Sequence, residues 1–199
     1  MNSLVILLGP TGVGKTELSL QVAERFGSPI ISSDSRQLYK DLPIGTAAPT
    51  PEQMARVKHY MVGTLSLTDY YSASNFEEDV VSLLSELHKT IPTVVMTGGS
   101  MMYIDAVCKG IDDIPTISPE LRTGLMEVYE REGLESIRQM LKELDPVFYG
   151  QVDLNNGKRV LHAVEVCRMA GVPYSSLRKN TPKDRGFRIV RIGLNRERE

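Results

Sequence analysis

The sequence predicts an α/β fold: a parallel sheet with helices on both faces, interrupted by a helical insertion. Three observations predict it. Short apolar runs, Leu4-Val5-Ile6-Leu7-Leu8 and Thr93-Val94-Val95-Met96-Thr97, are followed by glycine turns, as buried parallel strands are. Helical stretches alternate with such runs up to about residue 110. From Ile111 to Gly186 strand patterns give way to helical ones, and Phe187 to Leu194 then alternates like a strand returning to the sheet. The reading assigns residues 1–110 plus 187–199 to the α/β core and 111–186 to the insertion.

Each element has its own signal. The run Leu4 to Leu8 ends at Gly9-Pro10, and a helix is expected from Gly14 to Phe26, with Leu18, Val22 and Phe26 on one face and Gly27 stopping it. Ile30-Ile31-Ser32 reads as the second strand. Thr50-Pro51-Glu52-Gln53 has the cap, first-turn proline and third-position amide of a helix start. His59 to Val62 reads as a third strand. Ser74 to Glu77 matches a capping box, followed by Val80, Val81, Leu84 and Leu87 at helical spacing. Gly98-Gly99-Ser100 turns the next strand into a helix. In the insertion, Ser118-Pro119 opens one helix, Leu134, Ile137, Leu141 and Leu144 face a second, and Lys158 to Ala170 forms a third, closed by Gly171 and Pro173. The ending Asn195-Arg196-Glu197-Arg198-Glu199 resembles the first turn of a helix, and the chain is expected to be a fragment of a longer protein.

Bulk composition narrows the function. The longest apolar run, Leu4 to Leu8, is far too short to span a bilayer, so no membrane role is expected. The two cysteines, Cys108 and Cys167, lack metal-ligand spacing, which argues against a zinc site or a disulfide framework and fits a reducing cytoplasm. The net charge of −2 hides a split: residues 1–155 hold 12 Lys+Arg against 21 Asp+Glu, and residues 156–199 hold 11 against 4. Such asymmetry points to a polyanionic partner for the C-terminal part; the plainer reading is a solvated basic face balancing an acidic body.

Gly9-Pro10-Thr11-Gly12-Val13-Gly14-Lys15-Thr16 matches GxxxxGK[ST] between a strand and a helix. Glycines let successive backbone N–H groups turn toward phosphate oxygens, and the helix N-terminus adds partial positive charge. Lys15 brings a full charge to the terminal phosphates, and the Thr16 hydroxyl suits Mg2+. The core is therefore of the P-loop NTPase-like kind, binding a nucleotide or another diphosphate. A hydrolytic motor or switch is disfavoured, because Thr93 to Thr97 runs into Gly98 without the acid that orders Mg2+ and water in those proteins.

Asp34 follows the second strand at the sheet edge where open α/β folds bind ligands. There it is placed to take a proton from an acceptor, or else to cap the next helix. Ser35, Arg36 and Gln37 follow, and Gln37 could pair with the edge of a base.

These residues go beyond a generic P-loop. Asp34-Ser35-Arg36-Gln37-Leu38-Tyr39, Ile44-Gly45-Thr46-Ala47, Tyr71-Ser72-Ala73 with Phe76, Gly98 to Tyr103, Asp145-Pro146 and Lys158 to Val166 together resemble the bacterial tRNA dimethylallyltransferase (tRNA isopentenyltransferase) family. Ala48 stands where that family usually has Lys, and Ser100 where it usually has Thr. The resemblance implies transfer of a dimethylallyl group from dimethylallyl diphosphate to N6 of adenine 37 in the tRNA anticodon loop, with Mg2+. It implies Asp34 as general base, with Lys15 and Thr16 as the other catalytic residues. It implies tRNA contacts at Asp34, Ser35, Arg36, Gln37, Ser100, Arg122, Lys158, Arg159, Val160, Leu161 and His162. It also implies a further C-terminal part bearing an arginine at the diphosphate. A monomer is expected.

Plainer readings stand beside these. Lys158 and Arg159 suit a solvated helix face, His162 a structural role, and Met101-Met102 the core. The rival functions are a P-loop nucleoside or small-molecule kinase, a prenyltransferase acting on free adenine nucleotides, and a non-catalytic nucleotide-binding module.

Overall fold

The computed structural model describes residues 1–179 and 181–195. The expected helical turn at residues 196–199 lies outside them. The chain divides into two compact units, one formed by Met1–Ile111 with the stretch from Pro182 onward, the other by Asp112–Thr181.

The first unit contains strands β1 (Ser3–Leu8), β2 (Ile30–Ser32), β3 (His59–Tyr60), β4 (Thr93–Gly98) and β5 (Arg188–Gly193), with helices α1 (Lys15–Phe26), α2 (Pro51–Arg56), α3 (Ala73–Leu87) and α4 (Met101–Lys109). All five strands are parallel, in the order β3-β2-β4-β1-β5. Side chains alternate across the pleat and both faces are covered. Leu4, Ile6, Ile31, Val94 and Met96 pack with Phe76, Val80 and Leu84 of α3 and Ile104 and Val107 of α4. Val5, Leu7, Ile30 and Val95 pack with Leu20 and Ala23 of α1.

Several boundaries differ from expectation. The buried stripe of α1 is Ser19, Leu20 and Ala23, with Leu18 and Val22 at its flank and Phe26 exposed. Strand β3 stops at Tyr60 because Met61 and Gly63 turn left-handed, at φ 60° and 61°. The N-cap of α3 is Ser72, not Ser74. Ser72 Oγ accepts from Asn75 N at 3.2 Å, and Asn75 Oδ1 accepts from Ser72 N at 3.0 Å. Glu77 is thereby freed from capping and turns inward, where it is 4% exposed. It accepts from Ile111 N (2.6 Å), Lys183 Nζ (3.0 Å) and Arg185 Nη2 (2.8 Å). Burial alone would raise its pKa, but Arg185, Lys183 and the Ile111 amide outweigh that and hold the carboxyl below its ordinary value. Lys183 N also donates to Lys109 O at 2.7 Å. These bonds draw residues 182–186 into the sheet unit, although their composition reads as insertion.

Phe187 and Ile189 join the α3–α4 side of the core and Val190 the α1 side, so β5 returns to the sheet beside β1 as its alternation predicts. Met101 and Met102, read as core, are 49% and 72% exposed. They occupy the first turn of α4, while Tyr103 and Ile104 take the buried face.

The second unit is helical: α5 (Pro119–Glu132), α6 (Leu134–Leu144), α7 (Pro146–Tyr149), α8 (Gly157–Ala170) and α9 (Tyr174–Leu177). Ser118 caps α5 by accepting from Leu121 N at 3.2 Å. Ile137 and Leu141 of α6 pack on Val160, Ala163 and Val164 of α8, with Leu134 and Leu144 at the margin. Sequence periodicity misses α7 and α9, which are single turns. Both hang on Asp145, which is fully buried. Its Oδ1 accepts from Phe148 N (2.9 Å) and Ser175 Oγ (2.8 Å), and its Oδ2 from Ser175 N (2.7 Å). Among the described residues no helix is long and apolar enough to cross a membrane.

Replacing Asp145 by Ala leaves buried donors without an acceptor and should destabilise the helical unit by about 2–4 kcal/mol. Urea denaturation followed by circular dichroism should show an earlier transition, and an unchanged midpoint would refute the assignment.

Candidate active site

Strands β1, β4 and β2 end at one level. Leu8 is paired with Gly98 and Ser32 with Thr97. The chain leaves each strand there, as the P-loop after β1, the Gly98-Gly99-Ser100 turn after β4 and Ser33-Asp34 after β2. Ligand crevices in open parallel sheets form at this carboxyl edge.

The P-loop wraps from Gly9 to the start of α1. Gly14 precedes that helix at φ 95°, a left-handed backbone costly for other residues. Lys15 Nζ donates to Gly9 O at 2.8 Å and Pro10 O at 2.7 Å, laying the ammonium across the loop. Burial lowers the Lys15 pKa from the usual lysine value, and the nearby negative charge of Asp34 opposes that shift. Thr11, Gly12, Gly14, Lys15 and Thr16 line a cleft of about 420 Å³, whereas Gly9, Pro10 and Val13 of the same loop are not part of its lining. Ser19 Oγ donates to Thr16 O at 2.7 Å, steadying the first turn of α1.

Asp34 lines the same cleft. The turn after β4 fixes its position. Ser33 N donates to Thr97 O at 2.8 Å and Ser100 N to Ser33 O at 3.2 Å. Ser35 N donates to Ser100 Oγ at 2.9 Å, and the two serine hydroxyls lie 3.1 Å apart. This approach requires glycine at position 98, where a Cβ would stand 2.4 Å from Ser33 Oγ and 2.6 Å from Ser33 C. Asp34 Oδ1 accepts from Arg36 N at 2.9 Å, an Asx turn rather than a helix cap. Residues 35–38 form turns, and the next helix begins only at Pro51.

Gln37 also lines the cleft, with its carboxamide committed to the protein. Its Oε1 accepts from Ser32 Oγ at 2.8 Å, and its Nε2 donates to Thr46 O (3.2 Å) and Ala47 O (3.0 Å). It therefore holds the Thr46–Ala47 wall, where Ala47 has φ 48°. Arg36 is exposed beside it.

Sequence reasoning overlooked Ser32, Pro49, His59 and Thr97 as cleft residues. His59 Nδ1 lies 2.8 Å from Val57 O. Burial lowers the His59 pKa, and the Val57 carbonyl works against that. A single histidine on a two-residue strand carries no sequence signal. Thr46 and Ala47 do fall within a block that the family resemblance singles out.

In the helical unit, two residues expected at RNA converge on one carboxylate. Arg122 Nε donates to Glu165 Oε1 at 3.2 Å, and His162 Nδ1 lies 3.4 Å from Glu165 Oε2. The Tyr174 ring meets His162 edge-on, with centroids 5.9 Å apart. Lys158 and Arg159 are exposed on the first turn of α8. Val160 and Leu161, expected among the RNA contacts, are instead 0% and 7% exposed and pack against α5 and α6. The helix repeat turns these two apolar residues inward while the basic pair before them faces water.

A five-stranded parallel sheet with a GxxxxGK[ST] loop at its carboxyl edge makes this a P-loop α/β protein. A family model described as IPP transferase matches residues 37–199. The tRNA dimethylallyltransferase 2 of Parabacteroides distasonis is 82% identical over 199 residues, covering 100% of this chain and 67% of that protein. The tRNA dimethylallyltransferase 1 of Phocaeicola vulgatus is 60% identical, covering 100% of this chain and 66% of that one. A tRNA delta(2)-isopentenylpyrophosphate transferase from Staphylococcus epidermidis superposes with TM-score 0.57 at 29% identity, over 97% of this chain and 63% of that structure. A eukaryotic dimethylallyltransferase acting on tRNA shares the fold with TM-score 0.80 at 24% identity, over 98% of this chain and 48% of that one. The chain belongs to the IPP transferase family, and spans about two thirds of the length of the curated relatives it matches.

Lys15→Met should leave the fold intact and weaken binding of inorganic pyrophosphate by roughly 10- to 100-fold, the worth of a charged hydrogen bond. Titration calorimetry checks this, and equal affinity would remove Lys15 from the cradle.

Proposed function

We propose that this protein transfers a dimethylallyl group from dimethylallyl diphosphate to N6 of adenine 37 in the anticodon loop of tRNA. The observation that carries the reading is Asp34 lining one cleft with Lys15 and Thr16, in a chain of the IPP transferase family.

The adenine N6 is a weak nucleophile because its lone pair is delocalised into the ring. Asp34 accepts a hydrogen bond from the N6 amine and then its proton as the new N–C bond forms. The allylic C–O bond breaks in the same process, and the diphosphate departs with the electron pair. P-loop amides and the Lys15 ammonium stabilise the charge collecting on the leaving group. The target base must leave its stack, and an anticodon loop makes that inexpensive.

The donor set suits Mg2+ shared with the ligand. The Thr16 side chain belongs to the cleft lining, and no group of three or more His, Cys, Asp or Glu among the described residues could hold a metal alone. Mg2+ held by Thr16 and diphosphate oxygens would neutralise part of the leaving group's charge.

RNA is engaged by exposed Lys158 and Arg159 in the helical unit and by Ser35 and Arg36 near the base. Gln37, Ser100, Arg122 and His162 support those contacts through the bonds described above. The excess of 11 Lys+Arg over 4 Asp+Glu in residues 156–199 supplies the charge for a polyanion. The protein works as a cytoplasmic monomer.

Asp34→Asn should lower kcat for prenyl transfer by about 10²- to 10⁴-fold while tRNA affinity persists; unchanged turnover would remove the base. Thr16→Ala should raise the Mg2+ concentration needed for half-maximal activity, and an unaltered Mg2+ response would count against its ligand role. Incubation with ATP and candidate acceptors should release no ADP, which separates this reading from a kinase.

A further inference from the structure

The chain crosses between its two units twice, after Ile111 and at Pro182. Both crossings converge on one buried side chain. Glu77 Oε2 accepts from Ile111 N at 2.6 Å on the outgoing connection. Glu77 Oε1 accepts from Lys183 Nζ at 3.0 Å and Arg185 Nη2 at 2.8 Å on the returning connection. The crossings are also joined directly, since Lys183 N donates to Lys109 O at 2.7 Å. Their approach is close: a Cβ on Gly110 would stand 2.6 Å from Lys183 Cγ. Arg185 Nη2 adds a bond to Ala106 O at 2.7 Å, and the Arg185 side chain is only 7% exposed.

We infer that Glu77 is a positioning residue for RNA, a clasp on α3 that ties both connections of the helical unit into a single tether. The inference rests on the proposed tRNA prenyl transfer. Two connections fixed at one point leave the attached unit less freedom than two independent connections, so less order must be imposed when RNA binds. Removing one partner of a buried ion pair strands the other charge, so the clasp holds as a whole. Glu77 has no part in the P-loop, the β2 tip or the turn after β4. Loosening it should therefore spare the diphosphate end of the reaction and penalise RNA.

The test compares the protein with Glu77→Gln and Lys183→Met in steady-state prenyl transfer and in amide hydrogen exchange. Glu77→Gln should raise KM for tRNA roughly fivefold or more, with KM for dimethylallyl diphosphate and kcat at saturating tRNA held. Exchange should quicken at 109–111 and 183–186, with the P-loop unaffected. Lys183→Met keeps the Glu77–Arg185 pair and should shift both readouts the same way by less, so it carries the test if Glu77→Gln does not fold. Faster exchange with an unchanged tRNA KM in both variants would overturn the inference and reduce Glu77 to a fold staple. Absence of transfer by the parent protein would instead overturn the proposed function, and the positioning role with it.

Discussion

The site depends on the close packing of the turn after β4 against the tip of β2. Gly98 has no side chain, so Ser33 can lie against its backbone, and three hydrogen bonds then fix Ser33 and Ser35 on either side of Asp34. Because β4 sits between β1 and β2, this contact also sets the spacing between the carboxylate and the P-loop. A side chain carried on a loop is only as exactly placed as its support. Here the support is the register of three parallel strands, each buried on both faces.

Buried carboxylates organise the rest. Glu77 gathers the two crossings between the units, Asp145 anchors two single-turn helices, and Glu165 holds Arg122 with His162. Glu77 and Asp145 each accept from several donors, the condition under which a buried carboxylate is tolerated. Asp34 differs. Among the described residues its carboxylate accepts from a single neighbouring amide, Arg36 N, and it lines the cleft, an arrangement that suits the proton transfer proposed for it.

Much of the fold was legible because hydrophobic periodicity and glycine punctuation are local signals. The strands β1, β2 and β4, the helix after the P-loop and the three long helices of the second unit all follow from them. The misplaced cap of α3 shows the limit of such signals. Ser74 to Glu77 reads as the capping box, yet Ser72 caps the helix and Glu77 faces Ile111, Lys183 and Arg185, partners that no local pattern announces. Val160 and Leu161 belong to a motif that reads as RNA-facing, yet helix geometry sends them into the core. His59 and Thr97 entered the cleft through strand placement alone.

The sequence by itself determined the P-loop, since GxxxxGK[ST] between a strand and a helix is a contiguous device whose parts need no distant partner. It also determined the parallel α/β class, through alternation of apolar runs with amphipathic helices. Only the tertiary structure decided that Asp34 lies in the same cleft as Lys15, that Gln37 is spent on the Thr46–Ala47 wall, and that Glu77 joins residues 34, 106 and 108 positions away. Those outcomes depend on which strands are neighbours and in what register, and pairing between distant segments leaves no periodic trace in a single chain.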